Sequence, residues 1–140
     1  MREFAFRPRP QAGPQHWALK DGQLARRGGA SALSIGEVAA VEWTDMAYRG
    51  TRVRSLRLKA GYETTTLECT DNGEGDDSQR FLQLCLAVAQ HLPADVFVRL
   101  ETSALARLMF WRAPKGLRGP GFVQLLRGMT APMDGPDYDT

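Results

Sequence analysis

The sequence predicts an α+β chain that is mainly β: strands and hairpins closed by one amphipathic helix, followed by a short C-terminal α/β extension. Three observations carry that expectation. Ser78 to Leu92, SQRFLQLCLAVAQHL, repeats Phe81, Cys85, Val88 and Leu92 at helical spacing, and Leu82, Leu86 and Ala89 widen the stripe. Most of what precedes it alternates apolar and polar residues between Gly, Pro and Asp breaks, as strands do. The apolar face of such a sheet needs cover, and a helix about 22 Å long, at about 1.5 Å per residue, is enough to plug one end of a small barrel.

Phe4 and Phe6 alternate with polar partners, giving a first short strand before the break at Pro8, Pro10 and Pro14. HWALKDGQLAR reads as a hairpin, with Trp17 and Leu19 before the Asp21-Gly22 turn and Leu24 after it. Leu33 and Ile35 mark a strand, Gly36-Glu37-Val38 a bend, and Val41 and Trp43 the next strand with Glu42 outward. A loop around Asp45 to Gly50 leads into TRVRSLRLKA. There Leu56, Leu58 and Ala60 share one face and Val53 falls on the other, which either a bulge near Arg54 or exposure of Val53 resolves. Ala60-Gly61 turns the chain into YETTTLECT, with Leu67 and Cys69 inward. DNGEGDD is a solvated acidic loop before the helix, Asp77 or Ser78 is expected to cap the helix, and Pro93 to stop it. Val96 to Leu100 forms a short strand. Ser103 starts a second helix at about 104–112, ALARLMFWR, APKGLRGPGF is a break, Val123 to Leu126 a short apolar run, and the tail after Met129 loose. Residues 1–100 thus form the barrel with its helix at 78–92, and residues 101–140 an extension within the same compact unit.

Composition narrows the function classes. The chain has 140 residues, 43% of them hydrophobic and 24% charged, with a net charge of +2, so it is expected to be one ordinary globular unit rather than a polycation. MREFAFRPRP lacks the apolar run of a secretory signal, and no stretch is apolar enough to span a bilayer, so a cytoplasmic protein is expected. Cys69 and Cys85 match no zinc spacing and read as reduced core thiols.

WALKDGQLARRGGASALSIGEVAAVEW, with a D-G hairpin before an L-x-I strand and a bend, resembles the short bacterial domains of the pleckstrin-homology superfold, of PH or GRAM type. The resemblance covers roughly residues 16 to 92. It implies an antiparallel barrel or two orthogonal sheets closed by the helix. Phosphoinositide-binding members carry a lysine near the end of the first strand and a basic-x-arginine pair after the turn, which brings Lys20 and Arg26 forward. Here Arg26 and Arg27 are adjacent and point to opposite faces of a strand, so the resemblance implies the fold rather than headgroup binding.

His16 and His91 have no Ser, Cys or carboxylate at motif spacing, and Glu37 with Glu42 or Glu63 with Glu68 read as solvated strand positions. Gly73-x-Gly75 sits among acids, and Gly116-x-x-Gly119 lacks the lysine and hydroxyl of a phosphate loop. No cofactor or metal is called for. Two acid-free basic stretches are more informative. Arg49, Arg52, Arg54, Arg57 and Lys59 form the first, split by strand parity, with Arg52 and Arg54 on one face. The second mixes Arg107, Arg112, Lys115, Arg118 and Arg127 with Met109, Phe110, Trp111 and Phe122. Cations among large aromatics suit an interface, so Arg107, Phe110, Trp111, Arg112, Lys115 and Arg118 are the candidate interaction surface, with Lys20, Arg26, Arg52 and Arg54 as weaker basic candidates. The favoured reading is a non-enzymatic binding or scaffolding module that docks a protein partner, a second copy of itself, or peripherally an anionic membrane. Nucleic acid is not expected, since no recognised motif accompanies the charge. The alternative is a small enzyme or ligand-binding barrel with its site inside the sheet.

Overall fold

Asp21 and Gly22 take left-handed backbone angles (φ 51° and 76°), which a two-residue hairpin turn requires at both positions. They join β2 (Gln15–Lys20) to β3 (Gln23–Arg26), as the sequence predicts. β1 (Arg2–Phe6) pairs with β2, and β3 with β4 (Leu33–Ser34), in an antiparallel sheet ordered β1-β2-β3-β4. The bend before the next strand is a single 3-10 turn, Ile35–Glu37. The structure, a computed structural model, describes residues 1–29, 31–101 and 116–130. The expected helix at about 104–112 lies outside them.

The second sheet differs from expectation in two respects, its Arg49-Gly50 turn and its mixed pairing, and it decides between the two alternatives left open for Val53. Instead of a loop from Asp45 to Gly50, β5 (Ala40–Tyr48) stays extended and turns through Arg49 (φ 50°) and Gly50 (φ 79°) into β6 (Thr51–Ala60). Asp45, a turn former by itself, sits opposite Arg54 and is held in the strand by that charge. No bulge interrupts β6: its register runs unbroken from Tyr48↔Thr51 to Ala40↔Lys59, so Arg54 continues the inward alternation of Leu56 and Leu58, and Val53 takes the outer face. The sheet is also mixed. β7 (Glu63–Asp71) pairs antiparallel with β6, but β8 (Phe97–Glu101) adds parallel to β5, and β9 (Gly116–Arg118) follows, in the order β7-β6-β5-β8-β9. Parallel neighbours need a crossover, and the helix supplies it.

That helix, α1, spans Asp76–Ala89, starting two residues before the predicted Ser78 and ending three before Leu92. Gly75, not Asp77 or Ser78, is its N-cap, with a φ of 112° that favours glycine. Phe81, Cys85 and Val88 are fully buried, as their spacing predicts. α1 packs on β1 and β7, filling the gap between the two sheets. The result is two separate sheets rather than a closed antiparallel barrel. A bond from the Thr70 N–H to the Pro8 carbonyl, 2.8 Å, ties the end of β1 to β7.

Where the sequence predicts the end of a proline and glycine break and a short apolar run at Val123 to Leu126, a helix α2 covers Gly119–Met129. Pro120 in its first turn is no breaker, because the amide it lacks has no intrahelical partner there. Phe122 and Leu126 are fully buried. Both helices meet the same face of the second sheet: Trp43 on β5 stacks on Phe81 (centroids 6.2 Å apart) and meets Phe122 edge-on at 5.8 Å, while Phe6 meets Phe81 at 5.5 Å. One aromatic core therefore joins the two sheets with α1 and α2. No described helix is long and apolar enough to cross a membrane.

Candidate docking surface

The inward alternation of β5 and β6 ends in charge. Asp45 follows Val41 and Trp43, and Arg54 precedes Leu56 and Leu58, so the two face each other at the rim of the core. Arg54 Nε donates to Asp45 Oδ1 (3.3 Å) and its Nη1 donates to Ser78 Oγ (2.9 Å) in the first turn of α1. Arg52 Nε and Nη2 donate to Asp45 Oδ1 (2.8 Å) and Oδ2 (3.4 Å). Asp45, Arg54 and Ser78 are all buried, and a buried charge is tolerated when paired and hydrogen-bonded in this way. Arg52 and Arg54 thus come together as predicted from parity, but onto an internal carboxylate. From sequence, Asp45 is expected in a loop and Ser78 as a helix cap, not beside Arg54; the readable signal is opposite charge at inward positions of consecutive strands.

The remaining candidates scatter. Lys20 pairs with Gln23 beside the hairpin turn and Arg26 with Trp17 at the hairpin's other end, both exposed on the first sheet. On the outer face of the second sheet, Arg57 Nη1 and Lys59 Nζ donate to the two oxygens of Glu42 (3.3 and 3.1 Å). The Lys59 hydrogen bond, aided by its charge and those of Arg57 and Arg99, holds the Glu42 carboxyl below its usual range against a smaller effect of burial. Arg107, Phe110, Trp111, Arg112 and Lys115 lie outside the described residues. Arg118, the sixth member of that surface, sits on β9 with its guanidinium 5.6 Å from the centre of the Phe97 ring, and its Nη1 donates to the Asp95 carbonyl (2.8 Å). Phe97, which the sequence reading placed only as a strand residue, is 42% exposed.

The chemistry open to these groups is narrow. Both thiols are free and buried, as expected. Burial, with Asp71 and Asp77 nearby, pushes the Cys69 thiol up to about 12, and burial raises Cys85 as well, so neither supplies a thiolate at neutral pH. The Gly73 N–H is taken by Asp71 Oδ1 (2.7 Å), so that loop spends an amide on its own acid rather than offering it to a phosphate. Among the described residues, no three His, Cys, Asp or Glu groups converge to hold a metal. Comparison with protein-family models, curated proteins and solved structures finds no match for this chain.

Proposed function

We propose that this chain is a non-enzymatic docking module of pleckstrin-homology-like layout, which holds a protein partner, in the simplest case a second copy of itself. The layout is supported by element order: a four-stranded meander, a three-stranded meander β5-β6-β7, then a helix packed between the sheets. The parallel strand β8 stands outside that pattern. The role is supported by the distribution of groups. Aromatic side chains fill the space between sheets and helices, and the charges that reach the interior bind one another.

The observation that carries the docking role is Phe97 beneath Arg118. A large aromatic is left 42% exposed under a cation at the rim of a packed domain, and aromatic and arginine side chains dominate the energetics of protein interfaces. The sequence between β8 and β9 adds Phe110, Trp111, Arg112 and Lys115 to the same stretch. We place this role in the cytoplasm, where two unpaired thiols stay reduced. Sedimentation of wild type, Phe97→Ala and Trp111→Ala, each alone and with phosphatidylserine-containing vesicles, tests the reading. Reversible self-association, weakened about tenfold or more by either substitution and little affected by salt, is expected. Co-sedimentation with vesicles that salt abolishes would replace the protein partner with a membrane. A strict monomer that ignores vesicles would remove the support for both.

A further inference from the structure

β1 is the outer strand of the first sheet, and its backbone directions follow from its neighbours. The Arg27 N–H donates to the His16 carbonyl (2.9 Å), so the backbone of His16 faces β3 and those of Gln15 and Trp17 face β1. Their partners Phe6 and Phe4 therefore spend their N–H and C=O groups on β2, and Glu3, Ala5 and Arg7 turn theirs outward. Arg7 fits: its N–H donates to Asp77 Oδ1 (3.1 Å) and its carbonyl accepts from Cys69 Sγ (3.7 Å). Among the described residues the main-chain groups of Glu3 and Ala5 have no main-chain partner on that side.

Those two residues line a cleft of about 430 Å³, with Arg2 and Phe4 from β1 and Arg80 and Gln83 from α1. Phe4 is buried, so by strand alternation Arg2 shares its face, toward α1, while Glu3 and Ala5 share the other. A strand laid along this edge would put every second side chain between Arg2 and Arg80, and the others beside Glu3. Carboxylates suit the first set and neutral side chains the second. Asp77 already does at Arg7 what such a strand would do next to it, since a carboxylate of the chain fills that rung.

We propose that the cleft between β1 and α1 takes an extended acidic segment of a partner protein, which adds to the first sheet as a fifth strand. Main-chain bonds to Glu3 and Ala5 supply the docking, and Arg2 and Arg80 select for acid at alternate positions. A second copy pairing through its own β1 would bring the same two cations together, so it is not the occupant. The site is separate from the Phe97–Arg118 pair.

The test uses the full isotope-labelled chain and an eight-residue peptide alternating threonine and glutamate, with the threonine–lysine peptide as its charge control. Saturation with the acidic peptide should shift the Glu3 and Ala5 amides and slow their hydrogen exchange about tenfold or more. Arg80→Glu should weaken binding about tenfold or more. Ala5→Pro should do the same without disturbing the sheet, because the amide it removes points away from β2. Phe97→Ala should bind the peptide like wild type, which separates this inference from the preceding proposal. No change at Glu3 and Ala5 up to about 1 mM peptide, equal binding of the lysine peptide, or unchanged affinity in both β1-cleft variants would overturn it.

Discussion

Arg54 occupies a position that the alternation of β6 assigns to an apolar side chain, and the fold answers its charge with Asp45 and its remaining donor with Ser78. Removing Asp45 leaves a buried guanidinium without its counter-ion, whereas removing the Ser78 hydroxyl costs one hydrogen bond. Asp45→Ala should therefore lower stability by about 3 kcal/mol or more, and Ser78→Ala by about 1–2 kcal/mol. Urea denaturation of the two variants checks the order, and a reversed order would break the account. The thiols make a second prediction. The Cys69 thiol ionises at about 12 in the folded chain, above its ordinary 9.0. The unfolded thiol loses its proton first, so this contribution is intact below about pH 9 and is lost as pH rises toward 12. Wild type should lose more stability between pH 8 and pH 11 than Cys69→Ala does, by the denaturation midpoint. At this scale the sequence offered both resolutions of the β6 parity conflict. The unbroken register, which depends on the neighbouring strands, selects an outward Val53 and an inward Arg54.

Elements were legible where their signal is local. The apolar stripe of α1 and the Asp21-Gly22 turn each declare themselves within a few residues; the turn stands where the sequence puts it, and α1 lies within one helical turn of its expected bounds. Val88 lies at the centre of that stripe with no exposure, so Val88→Asp would bury an unpaired carboxylate and cost about 3 kcal/mol or more. A thermal melt close to wild type would take α1 out of the core. α2 was hidden by its composition: three glycines and a proline resemble a break, yet Phe122 and Leu126 are four residues apart and both reach the core. The Arg49-Gly50 turn was hidden because Arg49 is an uncommon residue at a positive φ, adopted here because β5 and β6 pair along their whole length. Among the weaker basic candidates, Arg52 and Arg54 were legible in residue type but not in placement, since strand parity put them together without revealing the carboxylate that claims them.

At the scale of the molecule, the two sheets and two helices of the described residues share the aromatic centre of Phe6, Trp43, Phe81 and Phe122, and the proposed contacts lie at its margins. The proposed scaffolding role needs separate surfaces for separate occupants, and the two proposed sites, the cleft beside β1 and the Phe97–Arg118 rim, lie on different sheets. The parallel joint in the second sheet also bears on how the chain reaches this state. Tyr48 and Thr51 meet across a two-residue turn, whereas Val41 and Val98 stand 57 residues apart. Loop-closure entropy makes the hairpins β5-β6-β7 early and the seating of β8 late. Until then one side of β5 is a bare ladder edge carrying Val41 and Trp43, open to the β8 of another molecule as readily as to its own. Exchange of that strand between molecules is the misassembly this topology invites, and dilute refolding is the condition that suppresses it.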